Sequence, residues 1–178
     1  YRRIKHFMLP GDYIALKMTG ESCSTISGLS EGIFWDFLEK KPADLVFQDY
    51  QIDPALMPAL QPTFGIQGAL RAAAAAELGL VAGIPVAYRA GDQPNNALSL
   101  NVLDPGEVAA TGGTSGVVYA ITDQAVFDPL SRVNGFAHVN YTLEHPSIGV
   151  LMCINGAGIT YSWLRQNMGA AGVSYPEL

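Results

Sequence analysis

The first clear period lies between Pro10 and Gly20, where Tyr13, Ile14 and Leu16 carry a helical pattern, Pro10 suits the first turn and Thr19-Gly20 stops it. The small polar run Glu21–Ser30 predicts a loop or short strand, and the apolar positions of Gly32–Leu38 restart regular structure. Pro42 opens a short helix over Ala43–Tyr50, and Asp53-Pro54 caps another over Ala55–Leu60. Ala69–Leu78 is the strongest helix, since Ala72–Ala76 has the best intrinsic propensity and Gly79 is a natural C-cap. Its apolar face is nearly all alanine, which favours close packing on a sheet.

Ile84–Tyr88 reads as a short apolar strand, followed by Arg89-Ala90-Gly91-Asp92 and a helix over Pro94–Val102. Helix, strand, Gly-Asp and helix in succession form an α/β signature. After Asp104-Pro105-Gly106 the pattern changes. Glu107–Thr111, Val117–Ile121, Phe136–Asn140 and Ile148–Ile154 read as strands joined by glycine turns, and a last helix covers Gly158–Met168. A domain boundary is expected near Asp104–Gly106.

Composition narrows the class. Of 178 residues, 49% are hydrophobic and 15% charged, which excludes disorder and suggests that much of the surface is covered. The net charge is −6, and beyond Arg89 only Arg132 and Arg165 face 7 acidic residues. With no basic stripe, nucleic acid is not an expected partner. Phosphate in the second half would need backbone N–H groups and a metal ion. Cys23 and Cys153 lack ligand-like spacing, so a reducing cytoplasm is expected. Tyr1–His6 is followed by no signal-peptide core, and the stretch His145–Leu164, free of Asp, Glu, Lys and Arg, is interrupted by Pro146, Asn155 and glycines. A soluble cytoplasmic protein without membrane partners follows from this.

Three places carry possible chemistry. In Gly91-Asp92-Gln93, a carboxylate between a strand and a helix sits where open α/β sheets bind ligands, and it can take a proton from a hydroxyl. Gln93 offers both a donor and an acceptor to polyol oxygens. Taken alone, the tripeptide reads first as a helix cap at Asp92. In Thr111–Gly116, three glycines and three hydroxyl residues suit an anion-binding nest, or an ordinary hairpin turn. In Gly156-Ala157-Gly158, small residues at a helix start admit a nucleotide against the backbone, or close helix-on-strand packing. Trp35 and Trp163 read as core or groove residues. His6, His138 and His145 have no spaced partners, so neither a metal site nor a His-based triad is expected.

In order along the chain stand Leu9-Pro10-Gly11-Asp12-Tyr13, Met18-Thr19-Gly20-Glu21, Met57-Pro58, Gly83-Ile84-Pro85-Val86 with Gly91-Asp92, Gly106 before Gly113-Thr114-Ser115-Gly116, and Gly156–Gly158 before Trp163-Leu164. Together these resemble the FGGY family of carbohydrate kinases, closest to its xylulose-phosphorylating branch. The resemblance runs from Leu9 to about Arg165. It implies an α/β, actin-like (ribonuclease H-like) two-domain fold with ATP and sugar in the cleft between domains. Residues 1–104 would be the C-terminal part of sugar-binding domain I, and 105–178 the N-terminal part of nucleotide-binding domain II.

On the same basis Asp92 would be the catalytic base and, with Gln93, a substrate-binding residue. Gly113, Thr114 and Gly158 would line the ATP site, and Mg²⁺ would accompany ATP. No residue is implied as a protein metal ligand. The expected reaction is ATP-dependent phosphorylation of D-xylulose to xylulose 5-phosphate. Gln93 stands where that branch usually has Asn and the related glycerol kinases have Gln. This keeps another ketose or a polyol open as substrate, such as ribulose or glycerol. A non-catalytic actin-like nucleotide-binding protein is the alternative from a different class. The family's early Asp-x-Gly motif and its late adenosine motif are not present in these residues, so the chain is expected to be the middle of a kinase and inactive alone. A homodimer is compatible with the resemblance.

Overall fold

The computed structural model describes residues 1–169 and 173–177. Helix α1 spans Pro10–Thr19, with Pro10 at its start and the Asp12 carboxylate accepting the Leu9 N–H at 3.2 Å. Gly20 ends it at φ 86°, a left-handed conformation that glycine adopts without Cβ strain.

Strand β1 (Cys23–Ser24) leads into α2 (Ile26–Glu31), where the small polar residues predict a loop or short strand. The Thr25 hydroxyl caps this helix by accepting the Gly28 N–H at 3.0 Å. Ser27 and Ser30 are buried, and Ser30 Oγ accepts the Ala137 N–H at 2.8 Å. Small hydroxyl residues that read locally as loop therefore serve to seat a helix closely against the rest of the chain.

The expected restart at Gly32–Leu38 is limited to β2 (Trp35–Asp36), antiparallel to β3 (Lys41–Pro42), and α3 follows over Asp44–Asp49. The helix predicted over Ala55–Leu60 shrinks to a single 3₁₀ turn, Pro54–Leu56. Pro58 excludes a longer one, holding Met57 extended at φ −74°, ψ 129°. Strand β4 (Ala59–Leu60) then pairs in parallel with β1.

Helix α4 spans Ala72–Leu78 and closes at Gly79 with φ 68°. Its alanine face meets Met18 of α1 and Leu70, not a sheet as expected. Alanine lets a helix backbone approach as closely as it lets a strand. Ile84–Tyr88 forms no strand either. It touches the segment 64–69 through the isolated bridges Phe64–Tyr88 and Ala69–Pro85. Pro85 has no N–H to offer a ladder. Helix α5 covers Asp92–Ser99 and stops short of Val102, where Asn101 turns left-handed at φ 57°.

Beyond this lie β5 (Val108–Gly112), β6 (Gly116–Thr122), β7 (Asn134–Ala137) and β8 (Ile148–Ile154), forming one antiparallel sheet in the order β5-β6-β8-β7. The third strand starts two residues before its predicted place, and α6 follows over Ala157–Asn167. Ala109, Tyr119, Ile121 and Leu151 of the sheet bury Ala97 of α5. Leu29 and Trp35 pack with Ala137, Tyr141 and Ile148 in a second cluster. The segments before and after residue 104 are thus joined through two apolar contacts. Large apolar side chains remain outside, among them Phe127, 86% exposed, and Leu38 and Leu45, each 78% exposed. Among the described residues no helix is long and apolar enough to cross a membrane.

Candidate active site

Asp92 is the first residue of α5. The N-cap is Gly91, which has no side chain to cap the helix. The capping role weighed for Asp92 is therefore not taken up, and its one hydrogen bond among the described residues comes from Gln93 Nε2 at 3.3 Å. The carboxylate opens on a cleft of about 410 Å³ lined by Leu9–Asp12 of the α1 start, by Thr25, Gly28 and Glu31 of α2, and by Arg89–Asp92.

The backbone leading to Asp92 is pinned from two directions. Arg89 Nε lies 3.0 Å from Asp12 Oδ1 in a nearly buried ion pair, and Arg89 Nη2 donates to the Cys23 carbonyl at 3.0 Å. Asp12 is held in turn by Ser24 Oγ at 3.0 Å. On the helix side, Asn95 Nδ2 donates to the Ala90 carbonyl at 3.1 Å, and the Tyr88 hydroxyl bonds Asn95 Oδ1.

Glu31 enters the same cleft and presses on Gly91, where an added Cβ would fall 1.4 Å from Glu31 Oε1. A side chain at position 91 would therefore have to displace the Glu31 carboxyl. Burial, then the charges of Asp92 and Asp12, push the Glu31 carboxyl up to about 7, with the Gly91 N–H acting the other way. Arg89 and Glu31 carry no signal of their own in the sequence, and Asp12 stands out only within the Leu9–Tyr13 motif. No local spacing links these residues, since α1, α2 and the segment before α5 meet only in the fold.

The second and third predicted places converge. The hairpin tip Gly113-Thr114-Ser115 joins β5 to β6, and the N-terminus of α6 abuts it. The Gly158 N–H donates to the carbonyls of Gly113 and Thr114 at 3.1 and 3.0 Å, and the Ile159 N–H to Thr114 at 3.3 Å. A Cβ on Gly158 would stand 2.3 Å from the Gly113 oxygen, so close packing does account for this glycine. These N–H groups are already engaged, and Gly113 N–H is bonded to Ser115 at 2.9 Å. The free backbone donors among the described residues of the tip are those of Thr114 and Ser115.

Gly113, Thr114 and Gly158, together with Ile159, Tyr161, Ser162 and Tyr175, line an open pocket of about 480 Å³. Neither Arg of this half lines it. Arg132 is paired with Asp128 at 2.8 Å, and Arg165 stacks on the Tyr175 ring at 4.5 Å. The pocket offers no carboxylate, and among the described residues no group of three or more His, Cys, Asp or Glu is arranged to hold a metal ion. Its donors do not form a protein-held metal centre. Trp35 is core, as expected, whereas Trp163 is 56% exposed on α6.

The FGGY family of carbohydrate kinases, N-terminal domain, matches residues 1–99. The xylulose kinase of Escherichia coli (strain K12) is 32% identical over 138 residues, covering 78% of this chain and 28% of that protein. A crystal structure of a xyloylose kinase from Brucella ovis superposes with a TM-score of 0.82 at 30% identity, covering 95% of this chain and 34% of that one. The xylulose kinase structure from Rhodospirillum rubrum gives 0.76 at 28% identity, over 90% of this chain and 32% of that one. The chain spans about a third of the length of these relatives and carries the corresponding part of their actin-like α/β fold.

Proposed function

This chain belongs to the FGGY family of carbohydrate kinases, and from that premise we propose that the protein of which it is part transfers the γ-phosphoryl group of ATP to a hydroxyl of D-xylulose, giving xylulose 5-phosphate. The observation that carries this reading is the Asp92 carboxylate, unspent on capping and open to the cleft beside Gln93. In this reading Asp92 takes the proton of the attacking hydroxyl, and Gln93 contacts substrate oxygens. Residues 1–104 are the end of the sugar-binding domain and 105–178 the start of the nucleotide-binding domain. Gly113, Thr114 and Gly158 form one wall of the ATP site, with Thr114 and Ser115 supplying backbone N–H groups to phosphate oxygens.

Mg²⁺ would arrive with the phosphates of ATP and offset their charge, and no residue of this chain is assigned to hold it. A cytoplasmic location fits a protein that draws on ATP. Gln93 favours a second reading, phosphorylation of another ketose or a polyol. A non-catalytic nucleotide-binding protein would have no use for a carboxylate placed as Asp92 is. The test is ADP release by the full-length protein with xylulose, ribulose and glycerol. Turnover fastest with xylulose supports the first reading, turnover fastest with glycerol or ribulose the second, and ATP binding without turnover on any of the three overturns both.

A further inference from the structure

Glu31 ends the short helix α2, and among the described residues the Gly91 N–H is the neighbour that favours its charged form. Oε1 is buried without a hydrogen-bond partner among the described residues. The groups facing it are Asp12 from α1, Asp92 from α5 and Tyr119 from β6, with Arg89 nearby on the same cleft. None of these bonds Oε1: Arg89 pairs with Asp12 and donates to the Cys23 carbonyl, and its own Nη1 is buried without a partner among the described residues. A carboxyl taken from water beside two other carboxyls, with an unfilled oxygen, is costly in the empty protein. Its cost falls if a ligand supplies hydroxyl groups there. The cleft it shares with Asp92 has a volume of about 410 Å³, enough for such a molecule.

We propose that Glu31 is a specificity-determining residue that binds a hydroxyl of the polyhydroxylated acceptor, next to the hydroxyl presented to Asp92. The assignment rests on the reading of this cleft as the sugar site. The neutral carboxyl both donates and accepts, as a sugar hydroxyl does, and it adds no third negative charge to the cleft. Loss of its proton turns it into an acceptor that repels Asp92 and Asp12, so sugar affinity falls as this carboxyl ionises.

The test uses the full-length protein, with sugar KM and kcat measured from pH 6 to 8 and sugar binding followed by calorimetry, in the wild type and in Glu31→Gln, Glu31→Ala and Asp92→Asn. In the wild type the sugar KM and dissociation constant rise through a midpoint of about 7. Glu31→Gln removes that rise, and Glu31→Ala raises KM about tenfold at pH 6 with a smaller effect on kcat. If Glu31→Ala does not fold, the Glu31→Gln profile decides alone. A pH profile that persists in Glu31→Gln, or a KM unchanged in Glu31→Ala, overturns the assignment while loss of turnover in Asp92→Asn leaves the kinase reading standing. Turnover retained in Asp92→Asn, or no sugar binding to the wild type, overturns the kinase reading and this assignment with it.

Discussion

Arg89 and Asp12, 77 positions apart in the chain, form an ion pair with Nε and Oδ1 3.0 Å apart and side chains only 12% and 5% exposed. The pair fastens the segment that presents Asp92 to the first helix. Removing one partner strands the other charge in a poorly solvated place, which costs about 3–5 kcal/mol. Arg89→Ala and Asp12→Ala are expected to lower the thermal midpoint markedly and to weaken sugar binding. Arg89→Lys keeps the charge but not the bond to the Cys23 carbonyl, and falls between. Melting curves of the three variants decide this, and unchanged midpoints count against a supporting role for the pair.

Gly158→Ala places a methyl group 2.3 Å from the Gly113 carbonyl, and the obstacle is backbone that no side-chain rotation can clear. The hairpin tip or the start of α6 must shift, at about 1–3 kcal/mol. We expect ATP affinity of the full-length protein to drop by about tenfold or more with sugar affinity nearly unchanged. Parallel titrations with ATP and with sugar check this. A loss of sugar affinity alone contradicts the placing of the nucleotide at the hairpin.

The helices with explicit stop signals were the most legible elements, because Gly20 and Gly79 end α1 and α4 through their own backbone freedom. The α2 helix was hidden by composition, since its serines gain their role only when buried under β7. Ile84–Tyr88 has the composition of a strand and exchanges backbone hydrogen bonds with the segment 65–70, but Pro85, with no N–H, interrupts a regular ladder. Among the candidate site residues, Asp92, Gly113, Thr114 and Gly158 stand out as candidates in the sequence because each lies in a short glycine-containing motif. Arg89 and Glu31 could not, because their meaning comes from a meeting of three distant segments.

His138 is fully buried, and the Tyr119 hydroxyl lies 3.1 Å from its Nδ1. Burial, with the charge of Glu31, raises the Tyr119 hydroxyl above its ordinary value, so it stays protonated beside Nδ1. Burial also holds the imidazole below its ordinary value, with the Val102 backbone opposing. The unfolded chain therefore takes up a proton at His138 before the folded one does, and stability is lost as pH falls from about 6.5. Thermal midpoints at pH 7 and 5 are expected to differ less in His138→Asn than in the wild type. An identical difference contradicts this account of His138.

Glu31 acts with the opposite sign. Its folded value, about 7, lies above the ordinary 4.5, so the folded state holds the proton longer and stability declines as pH rises between those values. Glu31→Gln is expected to melt closer to or above the wild type as pH is raised from 5 to 8. A constant gap between the two midpoints across that range contradicts a perturbed carboxyl at this position.

The role of Asp92 as proton acceptor is tested by kcat for Asp92→Asn in the full-length protein, with sugar and ATP binding measured on the same sample. The account predicts kcat lower by about 10²–10⁴ with both ligands still bound. Turnover within a few fold of the wild type, with binding intact, would contradict it.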